Sequence, residues 1–274
     1  MGRGRGIGFD RARRGQSGTV SLSVASAVGN DTTKTPDCIW VCSDSVREIT
    51  GLARLPRGDI VRRLRNSGQA KLSDKWPCYH TDLYEFTLAN KPAGIIGCVV
   101  GAPFAVSVAE ELFACGCRML ISITSAGQIN AVGDPPYFVV IDRALRDEGT
   151  SYHYAGPMAF AEADPHIVNA AMSALMDKGL RAYVGASWTT DAPFRETASA
   201  IASSRAWGVL AVEMEAAALY TFARKRNKAV LCVAHVTNTM GLVDRDFEKG
   251  EGDGAIDALT ILEALASLSQ IERS

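Results

Sequence analysis

The chain has 274 residues, 47% of them hydrophobic, and its 29 Lys and Arg against 30 Asp and Glu leave a net charge of −1. That length suits one large α/β domain with a substantial core, and a balanced charge gives a polyanionic partner nothing to hold, so no nucleic acid is expected. No apolar run is long enough to span a membrane, and the seven cysteines form no paired C-x-x-C knuckles; they read as reduced core residues of a cytoplasmic protein with no metal site.

Residues 1–36 differ from the rest. Arg3, Arg5, Arg11, Arg13 and Arg14 alternate with glycine, serine and threonine follow, and the apolar core of a secretory signal is missing. This segment is expected to be a disordered basic extension, with 37–274 as a single domain. The first strand is Cys38–Cys42, followed by Ser43-Asp44-Ser45-Val46-Arg47 and a helix through Ile49 and Leu52. A strand-to-helix turn aims backbone N–H groups and an arginine fork at an anion, although an exposed arginine in a first helical turn would look the same. Between Arg54 and Lys75, Leu55, Ile60, Val61 and Leu64 share one helical face and the basic residues form its solvated side.

Ile95 to Pro103 reads as a buried strand entering a tight turn, and Phe104 to Cys115 as an amphipathic helix. A strand at Met119–Ile123 leads to a turn, Thr124-Ser125-Ala126-Gly127. The Pro135-Pro136 break precedes a strand at Tyr137–Ile141, and Arg146 to Tyr154 forms a loop. His153 in that loop either reaches a ligand or makes a structural hydrogen bond. A helix over Asp164–Lys178, a strand over Ala182–Ser187 and the segment Thr189–Glu196 follow. Next, the apolar run Trp207–Val212 stops at Glu213-Met214-Glu215 and turns at once into a helix, Ala216–Arg226. Such a junction presents both carboxylates at the carboxyl edge of a sheet, where open α/β folds hold small ligands. The plainer alternative has Glu215 complementing the helix dipole and Glu213 solvated. A strand at Ala229–Ala234, an acidic loop from Asp244 to Gly254 expected to cover the site, and a helix over Ile256–Ile271 complete the chain. Alternation of strands and helices gives an α/β fold.

Glu213-Met214-Glu215-Ala216-Ala217-Ala218 after a hydrophobic strand resembles the signature of the nucleoside phosphorylase family, and the pattern is most similar to its uridine phosphorylases. Gly101-Ala102-Pro103 with Glu110-Glu111-Leu112, and Gly133-Asp134, match further family segments. The resemblance covers about residues 37–270. It implies a three-layer α/β/α sandwich with a central mixed sheet, assembled as a homo-oligomer, a dimer or a trimer of dimers. It also implies phosphorolysis of a nucleoside with a uridine-like pyrimidine or a 6-oxopurine base. Inorganic phosphate would be the co-substrate, with no other cofactor. In that register Glu215 takes the ribose hydroxyls and Met214 packs under the sugar, while Ser43, Arg47 and Ser125 hold phosphate. Phe194, Arg195, Glu213 and Asn238 line the base side, and Glu215, Arg47 and Asn238 carry the chemistry. The chain departs from the family at several places. Ser43 and Val99 stand for glycines, Ser122 for an arginine, Tyr79-His80 where another arginine is usual, and Asn238 for an aspartate. Arg143 and Arg146 are the candidate replacements for the arginines. Ser122 and Ser125-Ala126-Gly127 resemble the hydrolytic nucleosidases instead, and a non-catalytic nucleoside-binding homologue is the other alternative.

Overall fold

The computed structural model describes residues 39–43, 60–78, 81–239 and 255–270. The extension 1–36, Asp44 and Arg47, Tyr79-His80 and the loop from Asp244 to Gly254 lie outside the described residues.

Ten strands form one mixed sheet among the described residues. They are β1 (Ile39–Ser43), β2 (Lys71–Leu72), β3 (Leu83–Leu88), β4 (Lys91–Gly97), β5 (Met119–Gln128), β6 (Tyr137–Asp147), β7 (Phe160–Glu162), β8 (Ala182–Thr190), β9 (Val209–Glu213) and β10 (Ala229–Thr239). The helices are α1 (Ile60–Asn66), α2 (Ala102–Ala114), α3 (Pro165–Asp177), α4 (Ala198–Ala206), α5 (Ala216–Arg226) and α6 (Ala255–Leu265). Strands β4, β1, β5 and β10 run parallel to one another, as do β6, β8 and β9. The two sets meet antiparallel at β10–β6 and β5–β9. Because β10 pairs with both β5 and β6, strands β5, β9, β8, β6 and β10 close into a ring, while β1, β4, β3 and β2 extend from β5 as a wing.

The side-chain alternation of the central strands builds the three layers. Leu120, Val139, Ile141, Val230, Cys232 and Ala234 face α2 and α5. Met119, Ile121, Phe138, Val140, Leu231 and Val233 face α1, α3 and α6. With both faces covered, these strands read as continuous apolar runs. The apolar face expected for α1 is present, with Ile60, Val61 and Leu64 buried. Glu110 on α2 accepts from Arg226 of α5 and from Tyr154, at 2.9 and 3.0 Å, and so links the two helices of one layer.

Helix α5 is buried on every side through its first eight residues, Ala216 to Ala223. Its alanines allow the backbone to approach the sheet closely. Tyr220 completes the fit. Its hydroxyl donates to the Ile141 carbonyl at 2.6 Å and accepts from the Cys232 N–H at 2.9 Å. These two backbone groups lie next to the last pair of the β10–β6 ladder, Val233 with Val140. One phenol therefore bridges the strands where their own pairing stops.

Several strands run further than their apolar residues indicate. The expected turn Thr124–Gly127 is strand, because Ala126 pairs with Val236 of β10 and Gly127 with Val212 of β9. Likewise β6 continues to Asp147, β8 to Thr190 and β10 to Thr239. The β3–β4 hairpin, β7 and α4 were not anticipated. Among the described residues no helix is long and apolar enough to cross a membrane.

Tyr220→Phe removes the hydroxyl and leaves a buried carbonyl and a buried N–H without it. A loss of about 1–3 kcal/mol in unfolding free energy is expected, measured by denaturant titration; an unchanged midpoint would show that the bridge contributes nothing.

Candidate functional site

The site forms where β9 hands over to α5. The antiparallel register of β5 and β9 sets Gly127 opposite Val212 and Gln128 opposite Ala211. Continued past the ladder, it brings Thr124 alongside Glu215. The Thr124 hydroxyl donates to Glu215 Oε2 at 3.0 Å, and the Gly101 N–H donates to Oε1 at 2.6 Å. Gly101 sits at φ 92°, ψ 145° ahead of α2, a conformation that side-chain-bearing residues avoid. The turn matched as Gly101-Ala102-Pro103 is thus the one that turns its N–H toward the carboxylate. Glu215 is 2% exposed.

Glu213 is equally buried, at 3% exposure, and has different partners. Ser187 donates to its Oε1 at 2.9 Å, and Thr189 makes a short hydrogen bond to the same oxygen. Oε2 accepts from the N–H groups of Glu215 and Ala216, both at 2.7 Å. Thr189 also accepts from the Ala217 N–H at 2.9 Å. Glu213 is therefore not solvated. It was expected on the base side, but both its oxygens are engaged within the protein. Met214, between the two acids, is only partly buried.

The remaining expected residues divide. Ser125 is half-buried in β5 and pairs with His235 of β10. Ser43 ends β1 opposite Ile123, one residue before Thr124, and Asn238 lies in β10 opposite Gly127. Ser43 thus ends next to Thr124, while Asn238 lies opposite a position three residues further along β5. Phe194, by contrast, is 92% exposed on a 3-10 turn, Pro193–Arg195, and Arg195 beside it is exposed too. Within one chain neither builds a pocket wall. His153 is exposed in a 3-10 turn, Thr150–His153.

Both candidate replacement arginines are engaged with other groups. Arg146 is 5% exposed. It donates to the Ser151 hydroxyl and to the carbonyls of Ala155, Gly156 and Met158, and its guanidinium lies 4.3 Å from the Tyr152 ring centroid. It organises its own loop. Arg143 stacks over Phe160 at 4.8 Å. Ser122, where the family has an arginine, is buried.

Sequence reasoning missed Gly101, Thr124, Ser187 and Thr189 as partners of the two acids. It also missed Thr237, whose buried hydroxyl has no hydrogen-bond partner among the described residues. Thr237 is the extra residue of a bulge between Val236 and Asn238, an irregularity that re-aims side chains. For the four hydroxyl residues among them the shared signal was a Ser or Thr at the polar end of an apolar strand. A cavity of about 250 Å³ opens elsewhere, lined by Tyr137, Arg181, Tyr183 and Asp257 among others and by neither acid. No group of three or more His, Cys, Asp and Glu suited to a metal ion occurs among the described residues.

Burial, with the nearby Glu215 charge adding to it, pushes the Glu213 carboxyl up to about 7 from an ordinary 4.5, against its hydrogen bonds. Between these values the unfolded chain has lost a proton that the folded chain keeps. Glu213 thus favours the fold fully below about 4.5, and that contribution is lost as pH rises to about 7. Glu196, also raised to about 7 by burial, acts in the same direction. Melting temperatures from pH 5 to 8 are expected to fall more steeply for the wild type than for Glu213→Gln, with Glu196→Gln as the parallel control. Equal slopes for wild type and Glu213→Gln would remove the buried proton.

Comparison with known proteins agrees with this geometry. A family model described as the phosphorylase superfamily matches residues 58–267. A uridine phosphorylase of Thermococcus kodakarensis is 27% identical over 244 residues, covering 76% of this chain and 84% of that protein. DeoD-type purine nucleoside phosphorylases of Bacillus subtilis and Roseobacter denitrificans are each 29% identical, over 167 and 170 residues. Those matches cover 59% and 58% of this chain and 71% and 70% of the relatives. With its Glu-Met-Glu junction clamped between Gly101 and Thr124, and a family match over most of its length, this chain belongs to the phosphorylase superfamily.

Proposed function

We propose that this chain cleaves the N-glycosidic bond of a nucleoside with inorganic phosphate, releasing the free base and a pentose 1-phosphate. The observation that carries the reading is the buried Glu215 carboxylate, fixed by the Gly101 N–H and the Thr124 hydroxyl. A preoriented carboxylate suits two tasks. It accepts hydrogen bonds from the 2′- and 3′-hydroxyls of a ribose, and it favours the positive charge that develops on the sugar as the base leaves. Met214 packs under the sugar. Phosphate, held by Arg47, Ser43 and Ser125, attacks the anomeric carbon, the glycosidic bond breaks, and the base departs with its electron pair.

The base is a uridine-like pyrimidine or a 6-oxopurine. The similarity to a uridine phosphorylase and to purine nucleoside phosphorylases supports a pyrimidine and a purine alike. Asn238 offers an amide hydrogen bond to a ring carbonyl, not a proton to a leaving purine. Phosphate is the co-substrate and no other cofactor is required. The working form is a cytoplasmic homo-oligomer, a dimer or a trimer of dimers, in which a neighbouring copy covers the exposed Phe194 and Arg195 so that they reach the base side.

Hydrolysis is the second reading, favoured by the buried Ser122 and by the loop-bound guanidinium of Arg146. Water in place of phosphate requires no anion clamp.

Purified protein is incubated with uridine, thymidine, inosine and adenosine, with and without phosphate, and base release is followed by chromatography. Phosphate-dependent release of uracil or hypoxanthine with sugar 1-phosphate is expected. Release without phosphate would turn the reading to hydrolysis, and no release from any nucleoside would overturn it. Glu215→Gln is expected to lower kcat/KM on the order of 10²-fold, as loss of an electrostatic transition-state contact does.

A further inference from the structure

Three consecutive backbone N–H groups open α5, those of Glu215, Ala216 and Ala217. The first N–H groups of a helix lack intrahelical partners, and Glu215 at the cap position supplies no side-chain cap of its own. Here all three are satisfied from outside the helix. Glu213 Oε2 takes the N–H groups of Glu215 and Ala216, and the Thr189 hydroxyl takes that of Ala217. Ser187 and Thr189 then hold the other oxygen of Glu213. Ser187 and Thr189 lie on the same face of β8, as alternate residues must, and both are fully buried. The start of α5 is thereby pinned to β8 as well as to its own preceding strand.

We propose that Glu213 and Thr189 are positioning residues that fix the first turn of α5, and through it the Glu215 carboxylate, without touching the substrate. The proposal rests on the nucleoside reading of Glu215. Ser187 and Thr189 occupy one Glu213 oxygen, and the N–H groups of Glu215 and Ala216 occupy the other. Nothing is left to read a base. Its effect passes through the Glu215 backbone, whose N–H it binds, while the Glu215 side chain turns away to Gly101 and Thr124. Small displacements of such a group are costly, since an error of about 1 Å at a reacting centre removes on the order of 10²-fold in rate.

Thr189→Val keeps the side-chain shape and deletes the hydroxyl, Thr189→Ser keeps the hydroxyl, and Glu213→Gln keeps the size while losing charge and an acceptor. Thr189→Val and Glu213→Gln are expected to lower kcat/KM by about tenfold or more, by one factor for every ribonucleoside the wild type cleaves. Thr189→Ser should restore most of it. In a Glu215→Gln background the Thr189→Val effect on nucleoside Kd should vanish, because both changes act through one carboxylate. Wild-type kcat/KM in Thr189→Val and Glu213→Gln, even with a lowered melting temperature, would leave only a structural role and overturn the proposal. So would a loss that changes the ratio between ribonucleosides, which would return Glu213 to the base side. Either result leaves the nucleoside reading standing. A wild type that neither cleaves nor binds any ribonucleoside overturns both together.

Discussion

Two carboxylates separated by one residue, both buried at the start of one helix, set the constraint on which the surrounding structure depends. Like charges this close oppose one another, and an unpaired buried carboxylate costs several kcal/mol. The fold can hold them only by assigning separate donors to each. Glu213 draws on β8 and the opening N–H groups of α5, and Glu215 on Gly101 and Thr124. Five elements, β5, β8, β9, α2 and α5, therefore meet at the two acids. The helix N-terminus contributes as well, since its partial positive charge favours anions within the first turn. Ala216, Ala217 and Ala218, all completely buried, have no bulk to hold α5 away from these donors.

The same constraint explains which parts of the fold were legible. Periodicity marked α1, α2, α3 and α6 and the apolar halves of the central strands, because burial on a regular surface leaves a regular pattern. The polar halves left none. Thr124, Ser125 and Gly127 look like a turn by composition, yet they continue β5, because their pairing partners are distant in sequence. Thr189 and Thr190 likewise extend β8 past its apolar residues. Helix α4, Ala-Ser-Ala-Ile-Ala-Ser-Ser-Arg-Ala, has no sustained apolar stripe and lies largely exposed, so periodicity could not locate it. The Glu-Met-Glu junction located the site, but spacing could not divide the roles of its acids. That division depends on Ser187 and Thr189, more than twenty residues away.

Strand order brings the end of β1 to the candidate site. Strand β1 pairs with β5 from Ile39 opposite Met119 to Ser43 opposite Ile123. The chain thus leaves β1 next to Thr124, whose hydroxyl already binds Glu215. Arg146 is committed to its own loop and Ser122 is buried without charge. Neither supplies a cation to the proposed phosphorolysis, which assigns that role to Arg47.

Stability and chemistry are therefore not separable at this junction. A donor removed from Glu213 leaves a buried charge short of a partner and loosens the turn that carries Glu215. A donor removed from Glu215 does the same from the other side, through Gly101 or Thr124. Polar strand ends are ordinarily where a sheet frays into solvent. Here they are held inside because two acids need them, and the acids are held still because the strand ends are there. The hydroxyls that conceal these strands in the sequence are the groups that make the buried carboxylates tolerable.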